Sequence, residues 1–185
     1  ARLAGPAVER VWRAVDGTGP LVVLVHGTMD RSSSFARVVR HLDGYRVTRY
    51  DRRGYGRSLE LGPPESFDQQ VEDLLEVVTS AGDGPVVVAG HSYGGTVAVA
   101  AAQRAPDVVT AVVAYESPMP WRDWWPSTSA GAQAVFGTDD PAEAAERFMR
   151  RMLGDRRWER LPPSSRRDRR AEGPTLVAET AQARP

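Results

Sequence analysis

A serine set among glycines limits the folds open to this chain more than any other feature: Gly90-His91-Ser92-Tyr93-Gly94-Gly95. The run before it, residues 85–89, is short, apolar and β-branched, which predicts a strand buried on both faces of a parallel sheet. The run after it, residues 96–104, consists of strong helix formers and predicts a helix. A sharp turn between them leaves no room for side chains two residues before and after the serine. The pattern predicts a nucleophile elbow with Ser92 at its tip; the alternative is a plain glycine-rich turn.

Composition narrows the class of protein. The 185 residues are 41% hydrophobic and 26% charged, which predicts one sizeable core with an insertion. A net charge of zero gives no reason to expect nucleic acid or an anionic membrane as partner. The absence of cysteine excludes disulfides, thiolate metal sites and thiol catalysis. Without a long apolar stretch or a signal-peptide core we expect a cytoplasmic protein, with a processed precursor as the alternative because residue 1 is not methionine.

Apolar runs alternate with helical patterns along the chain. An alternating run at the amino end predicts an antiparallel strand, and the other apolar runs predict strands buried in a parallel sheet. The predicted strands are residues 8–15, 21–25, 45–50, 85–89 and 108–115, and the predicted helices between them are residues 35–42, 66–82 and 96–104. This order predicts an α/β fold with a mostly parallel, doubly wound sheet.

The composition changes after Glu116. Prolines surround Trp121, Trp124 and Trp125, and helical patterns begin near residues 141 and 164. We therefore divide the chain into an α/β core, residues 1–117, and a helical cap or lid segment, residues 118–185. The tryptophans predict an apolar or aromatic small-molecule substrate held between the cap and the serine; packing of these rings against the core is the alternative.

All 24 basic residues are arginine, which excludes a lysine nucleophile or Schiff base. Residues 145–170 contain ten arginines against four acidic residues. This excess indicates a solvated helical face paired with acids elsewhere, and attraction of an acidic substrate is the weaker alternative.

Three motifs in this order resemble the α/β-hydrolase superfamily, in particular its bacterial esterase-like group with a small helical cap. They are His26-Gly27-Thr28 after a buried strand, the glycine-punctuated loop of residues 51–58 after the next strand, and the elbow around Ser92. The resemblance implies a serine nucleophile, an oxyanion hole and a cap that shapes the substrate pocket. It also implies that neither a metal nor another cofactor is required.

The resemblance assigns roles to individual residues. The backbone N–H groups of Thr28 and Tyr93 are expected to form the oxyanion hole, because donors fixed in advance stabilise the negative oxygen of a tetrahedral intermediate. His26 is expected to shape the turn beside the substrate. Glu116 is expected in the pocket wall, or alternatively as the acid that orients the base. The expected substrate-binding residues are His26, Glu116, Trp121, Trp124 and Trp125.

The rest of a catalytic triad is absent from the sequence. A serine nucleophile needs a histidine base and an orienting acid, in the family order serine, acid, histidine. No histidine follows Ser92, because the three in the chain are His26, His41 and His91. The family pattern expects two more strands after the cap, followed by the aspartate and the histidine. We expect these on a missing C-terminal segment or on a second polypeptide that completes the fold, with a degenerate homologue as the alternative.

These observations predict a serine hydrolase that cleaves a small, apolar carboxylic ester or related acyl compound through an acyl-enzyme at Ser92. Thioesters and carbon–carbon bonds in ketones are alternative substrates for the same scaffold. A non-catalytic ligand-binding protein that has kept the pocket is the alternative from another functional class.

Overall fold

A five-stranded mixed sheet forms the centre of the molecule. In this computed structural model, which describes residues 10–82, 84–125 and 129–182, the strands are β1 (Arg13–Asp16), β2 (Leu21–Val25), β3 (Arg46–Tyr50), β4 (Val86–His91) and β5 (Val109–Tyr115). Their order is β1-β3-β2-β4-β5, with β1 antiparallel to β3 and the other neighbours parallel. The predicted α/β fold is confirmed. Its first strand is shorter than predicted, and residues 8 and 9 of that prediction lie outside the described residues.

Helices connect the strands and follow the last one. They are α1 (Ala36–Val39), α2 (Phe67–Ser80), α3 (Tyr93–Arg104), α4 (Ala130–Val135), α5 (Pro141–Leu153), α6 (Asp155–Glu159), α7 (Pro163–Ala171) and α8 (Gly173–Gln182). The helix predicted at residues 35–42 is instead a 3₁₀ turn followed by one α-helical turn, and no side chain caps its start. We call α4–α8 the C-terminal helices. Within the described ranges, no helix has the length and apolar character needed to cross a bilayer.

Apolar side chains pack against both faces of the sheet. On one face, Leu74 of α2 and Val97 of α3 join Val23 in the main core. On the other face, Phe35 and its neighbours pack against Val22. Burial on both faces explains why β2 is a continuous apolar run with all five residues buried.

Strand β5 corrects one prediction. We predicted a buried strand at residues 108–115, but most of β5 is exposed, including Val113 at 57% and Tyr115 at 63%. The reason is its position at the edge of the described sheet, where it pairs with β4 alone. An apolar run without a neighbour remains exposed whatever its intrinsic preference.

The C-terminal helices have their own small core, centred on fully buried Trp158. Phe148 and Leu176 pack in the same cluster, and Tyr55 from the loop after β3 joins it. Arginines outside this core pair with acidic residues of the same helices; these pairs are Arg147–Glu143, Arg150–Glu146, Arg150–Glu159, Arg166–Glu159 and Arg170–Glu146. Because these arginines pair with acidic residues at the surface, much of the arginine excess belongs to a solvated helical face.

A buried ion pair fastens the C-terminal helices to the sheet. Arg52 follows β3 and contacts Glu179 of α8, and each side chain is 1% exposed. The Glu179 carboxylate also accepts hydrogen bonds from the Thr28 hydroxyl at 2.7 Å and the Tyr55 hydroxyl at 2.9 Å. Gln70 donates to it from 3.2 Å. These partners offset the desolvation of two charges, which would otherwise oppose burial.

We expect Glu179→Leu to lower the free energy of unfolding by about 3–5 kcal/mol, because it leaves the Arg52 charge buried without its partner. The double variant Arg52→Met/Glu179→Leu should lose markedly less, since no charge is left behind. Urea unfolding followed by circular dichroism measures both values. Equal losses of unfolding free energy in the single and double variants would contradict the idea that the unpaired Arg52 charge causes the loss.

Candidate active site

Ser92 lies at the junction of β4 and α3 in strained backbone geometry. Its φ of 52° and ψ of −129° lie outside the regions favoured by residues with side chains. Its N–H donates to the Tyr115 carbonyl at 2.8 Å, which ties the turn to β5. A Cβ at Gly90 would collide with the backbone of Gly94, and a Cβ at Gly94 would collide with the backbone of β2 and the residue after it. The glycines therefore permit the turn, as the sequence predicts.

The loop after β2 lies against this turn. Its His26 ring is fully buried, with Nδ1 2.8 Å from the Gly27 carbonyl and Nε2 accepting the Arg52 N–H at 2.8 Å. Burial, reinforced by the positive charge of Arg52, lowers the pKa of His26 well below its usual value. The neutral ring therefore connects the loop after β2 to the backbone of Arg52. His26 borders neither of the two cavities that meet at Ser92, so this geometry does not support its predicted contact with substrate.

Two cavities meet at Ser92. The first, about 360 Å³, is lined by Trp125, Pro120 and other mainly apolar groups, and we call it the Trp125 cavity. The second, about 510 Å³, extends to Arg31 and Arg169, and we call it the Arg169 cavity. Both are bordered by the same five residues, which are Thr28, Ser92, Glu116, Phe148 and Met152. The predicted nucleophile therefore lies where a ligand can extend in two directions.

The three tryptophans take different positions. Trp125 borders the Trp125 cavity and is half-buried. Trp121 is 49% exposed and Trp124 67% exposed, and neither borders the Trp125 cavity or the Arg169 cavity. Trp124 instead packs edge-on against Trp125, with ring centroids 5.8 Å apart. Of the three predicted contacts with substrate, the geometry supports Trp125; the other two rings lie on the solvent side.

The predicted oxyanion donors lie beside Ser92. Tyr93 is the first residue of α3, so its N–H has no acceptor within the helix. The N–H of Thr28 also donates to no other group of the described chain. Both residues border the Trp125 cavity. Two backbone donors without partners near a serine can stabilise a negative oxygen.

No base contacts the serine within the described part of the chain. The Ser92 hydroxyl forms no hydrogen bond there. The His91 Nε2 lies 3.6 Å from the Glu116 carboxylate, and His41 is exposed. Glu116 itself is exposed, borders both cavities and has a φ of 53°. The described ranges also contain no group of three or more histidine and carboxylate side chains arranged to hold a metal ion.

Comparison with known proteins identifies the family. The sequence profile described as the alpha/beta hydrolase fold matches residues 20–183. The chain belongs to the α/β-hydrolase family. This match includes the loop after β2, the elbow and the C-terminal helices.

Individual relatives agree with this assignment. Over 97 residues the chain is 39% identical to lipase LipV of Mycobacterium tuberculosis, which covers 52% of this chain and 37% of LipV. It is 36% identical over 111 residues to epoxide hydrolase B of the same organism, which covers 58% of this chain and 31% of that protein. The matched residues thus span about a third of these two relatives.

A solved α/β-hydrolase structure matches over a longer range. The crystal structure of the enol-lactonase from Burkholderia xenovorans LB400 aligns with 94% of this chain and 70% of the lactonase, at 25% identity and a TM-score of 0.67. The similarity therefore includes both the sheet and the C-terminal helices.

Several residues around the α/β-hydrolase elbow were not predicted from sequence. Glu179, Phe148 and Met152 border the cavities from the C-terminal helices, and Arg31 and Arg169 border the Arg169 cavity. A helix of many arginines gives no local signal that one of them faces a cavity. Only the tertiary fold brings these residues to Ser92.

We expect Gly94→Ala to destabilise the protein by about 3 kcal/mol, because the added methyl would overlap two backbone carbonyl groups that cannot move independently. Gly131→Ala is the matched control, since the nearest atom to its added methyl would be the Thr180 hydroxyl oxygen, 3.1 Å away on a side chain, and no backbone atom is among its near contacts. Thermal unfolding compares the two variants. A Gly94→Ala protein as stable as the control would show that the turn is not so tightly packed.

Proposed function

We propose that this α/β-hydrolase cleaves a small carboxylic ester through an acyl-enzyme at Ser92. The observation that carries the proposal is a strained serine at the meeting point of two cavities, beside two backbone N–H groups without partners in the described part of the chain. Strained geometry at a single polar residue is typical of functional sites. The names of the related lipase and enol-lactonase are consistent with ester chemistry.

The reaction follows from the groups around Ser92. The Ser92 Oγ attacks the ester carbonyl carbon while its proton passes to a base. The N–H groups of Thr28 and Tyr93 stabilise the negative oxygen of the tetrahedral intermediate. The C–O bond to the alcohol then breaks, and the alcohol leaves with the proton held by the base. Water next attacks the acyl-enzyme, releases the acid and restores the serine.

The base and its orienting acid come, in this proposal, from outside these 185 residues, either from a further segment of the protein or from a second polypeptide. The unpartnered Ser92 hydroxyl supports this idea, because no described histidine lies within hydrogen-bonding distance of it. The exposed apolar surface of β5 also supports it, since a further strand would cover that edge of the sheet. Glu116 would then serve as part of the pocket wall.

The Trp125 cavity favours an apolar substituent on the ester. Trp125, Pro118, Pro120 and Phe148 give this cavity a mainly apolar wall. An apolar group entering it is driven by removal of its surface from water. The helices α4, α5 and α8 that border it then act as a cap over the nucleophile.

A non-catalytic ligand-binding role is the second candidate. It is favoured by one observation, which is that Ser92 has no base among the described residues. Thioesters and carbon–carbon bonds remain alternative substrates for the same nucleophile. Turnover by the full-length protein separates catalysis from binding, and relative rates on an ester and its thioester separate the chemistries.

We expect Ser92→Ala to lower kcat on a p-nitrophenyl ester at least about 10⁴-fold in the full-length protein, because no other group can form the acyl-enzyme. Ser33→Ala, which changes an exposed serine in the turn before α1, is the control and should retain full activity. Mass spectrometry of the wild-type protein with a slowly hydrolysed ester should find the acyl group on Ser92. Full activity in Ser92→Ala would end the proposal.

We expect Trp125→Ala to lower kcat/KM for butyl or hexyl acetate by about tenfold relative to methyl acetate, since it removes apolar surface from one cavity wall. Trp121→Ala is the matched control because that ring is exposed and does not border the cavity. Kinetics on acetate esters of increasing alcohol length, followed by acid release, measure the preference. The same change in both variants would count against the Trp125 cavity as the apolar subsite.

A further inference from the structure

The Arg169 cavity combines apolar and basic walls. Its lining includes Ser92 and the apolar side chains of Phe148, Met149 and Leu161. It also includes two guanidinium groups, those of Arg31 and Arg169, and the Ser165 hydroxyl. A ligand that fills this cavity from Ser92 therefore contacts both apolar surface and guanidinium groups.

Both arginines keep donors that no group of the described chain occupies. Arg31 uses Nε for Glu172 at 2.7 Å, which leaves both of its terminal nitrogens without an acceptor. Arg169 uses Nη1 for the Met29 carbonyl at 3.2 Å and for Glu172 at 3.0 Å, which leaves Nε and Nη2. The Ser165 hydroxyl likewise has no hydrogen-bond partner in the described ranges.

Glu172 holds these two arginines, and both of its carboxylate oxygens accept hydrogen bonds. Its side chain is fully buried, one oxygen accepts from Arg31 and from the Gly56 N–H at 2.9 Å, and the other accepts from Arg169. One carboxylate therefore holds two guanidinium groups side by side. Two fixed guanidinium groups with free N–H donors match the planar, two-oxygen geometry of a carboxylate.

Two carboxylates, those of Asp30 and Glu116, border the Arg169 cavity. Asp30 has both oxygens engaged, accepting from the Arg31 N–H at 2.8 Å and the Ser34 hydroxyl at 2.9 Å. Glu116 lies beside His91 and also borders the cavity. The charged N–H donors that can bind an anion in this cavity therefore belong to the two arginines, whereas the exposed Glu116 carboxylate would repel an anion. Burial and then the charge of Arg52 lower the pKa of His26 most, and Arg169 and Arg31 add smaller contributions in the same direction.

We propose that Arg31 and Arg169 bind a carboxylate of the substrate, so that the preferred esters carry an apolar chain ending in a free carboxylate. The proposal rests on ester cleavage at Ser92 and defines its substrate class more narrowly. The ester group lies at Ser92, the methylene chain passes Phe148 and Met149, and the carboxylate meets the two guanidinium groups. A neutral ester of the same length fills the same space but leaves those donors unpaired.

Binding to the full-length Ser92→Ala protein tests this proposal without turnover. The probes are the monomethyl esters of succinic, adipic and suberic acids, each compared with its dimethyl ester, and the readout is Kd from calorimetry or NMR titration. We expect the best monomethyl ester to bind at least about tenfold more tightly than its dimethyl partner, because charge-assisted hydrogen bonds form only with the carboxylate.

Two arginine variants in the same Ser92→Ala background complete the test. Arg169→Met should abolish the preference for the monomethyl ester, and Arg169→Lys should restore part of it. Arg167→Met is the matched control, because Arg167 lies on the same helix, is exposed and has no partner in the described chain. Unchanged binding of the dimethyl ester verifies that Arg169→Met remains folded.

The outcomes separate this proposal from the one on which it rests. Equal binding of monomethyl and dimethyl esters at all three lengths, or a preference that survives Arg169→Met, would overturn the carboxylate site. In either case, loss of ester turnover in Ser92→Ala would still support the esterase proposal. Loss of the preference in Arg167→Met as well as Arg169→Met would mean that general surface charge, and not this site, attracts the anion.

Discussion

Arg52 and Glu179 come from positions 127 residues apart and meet where both side chains are shielded from water. A buried ion pair of this kind loses the hydration of both charges, so its stability depends on further hydrogen bonds. Here Thr28, Tyr55 and Gln70 supply them to the carboxylate. If the C-terminal helices moved away from the sheet, Arg52 and Glu179 would therefore each lose the partner of a buried charge.

The same network determines the shape of the candidate site. The Arg52 Nε donates to the His26 carbonyl at 2.8 Å, and its backbone N–H donates to the His26 ring at 2.8 Å. Thr28, two residues further on, is held by Glu179 from the opposite side. The loop that offers the Thr28 N–H is thus fixed both by the sheet and by α8. Docking of the C-terminal helices and the position of the proposed oxyanion donor therefore depend on one set of contacts.

The features that could be predicted from the sequence are those that depend on residues close together in the chain. The elbow could be predicted because steric limits at Gly90 and Gly94 act within a few residues, and β2 because burial on both faces requires an apolar run. The burial of β5 was predicted wrongly, since burial depends on a neighbour that its own residues do not specify. Trp125 could not be told apart from Trp124 by residue type, and nothing local marks Glu179 as the partner of Arg52. Long-range pairing decides each of these cases.

Backbone strain gives an independent reason to place function at this edge of the sheet. Among the described residues, the non-glycine residues with positive φ are Met29, Ser92 and Glu116. They follow β2, β4 and β5 at the carboxyl ends of adjacent strands, and all three border the Arg169 cavity. Each such conformation costs on the order of 1–3 kcal/mol and persists only where the surroundings impose it. Ligands of α/β proteins bind outside the carboxyl ends of the strands. If packing alone determined these conformations, the strain would relax. A preorganised binding site retains such strain, and the three strained residues border one cavity.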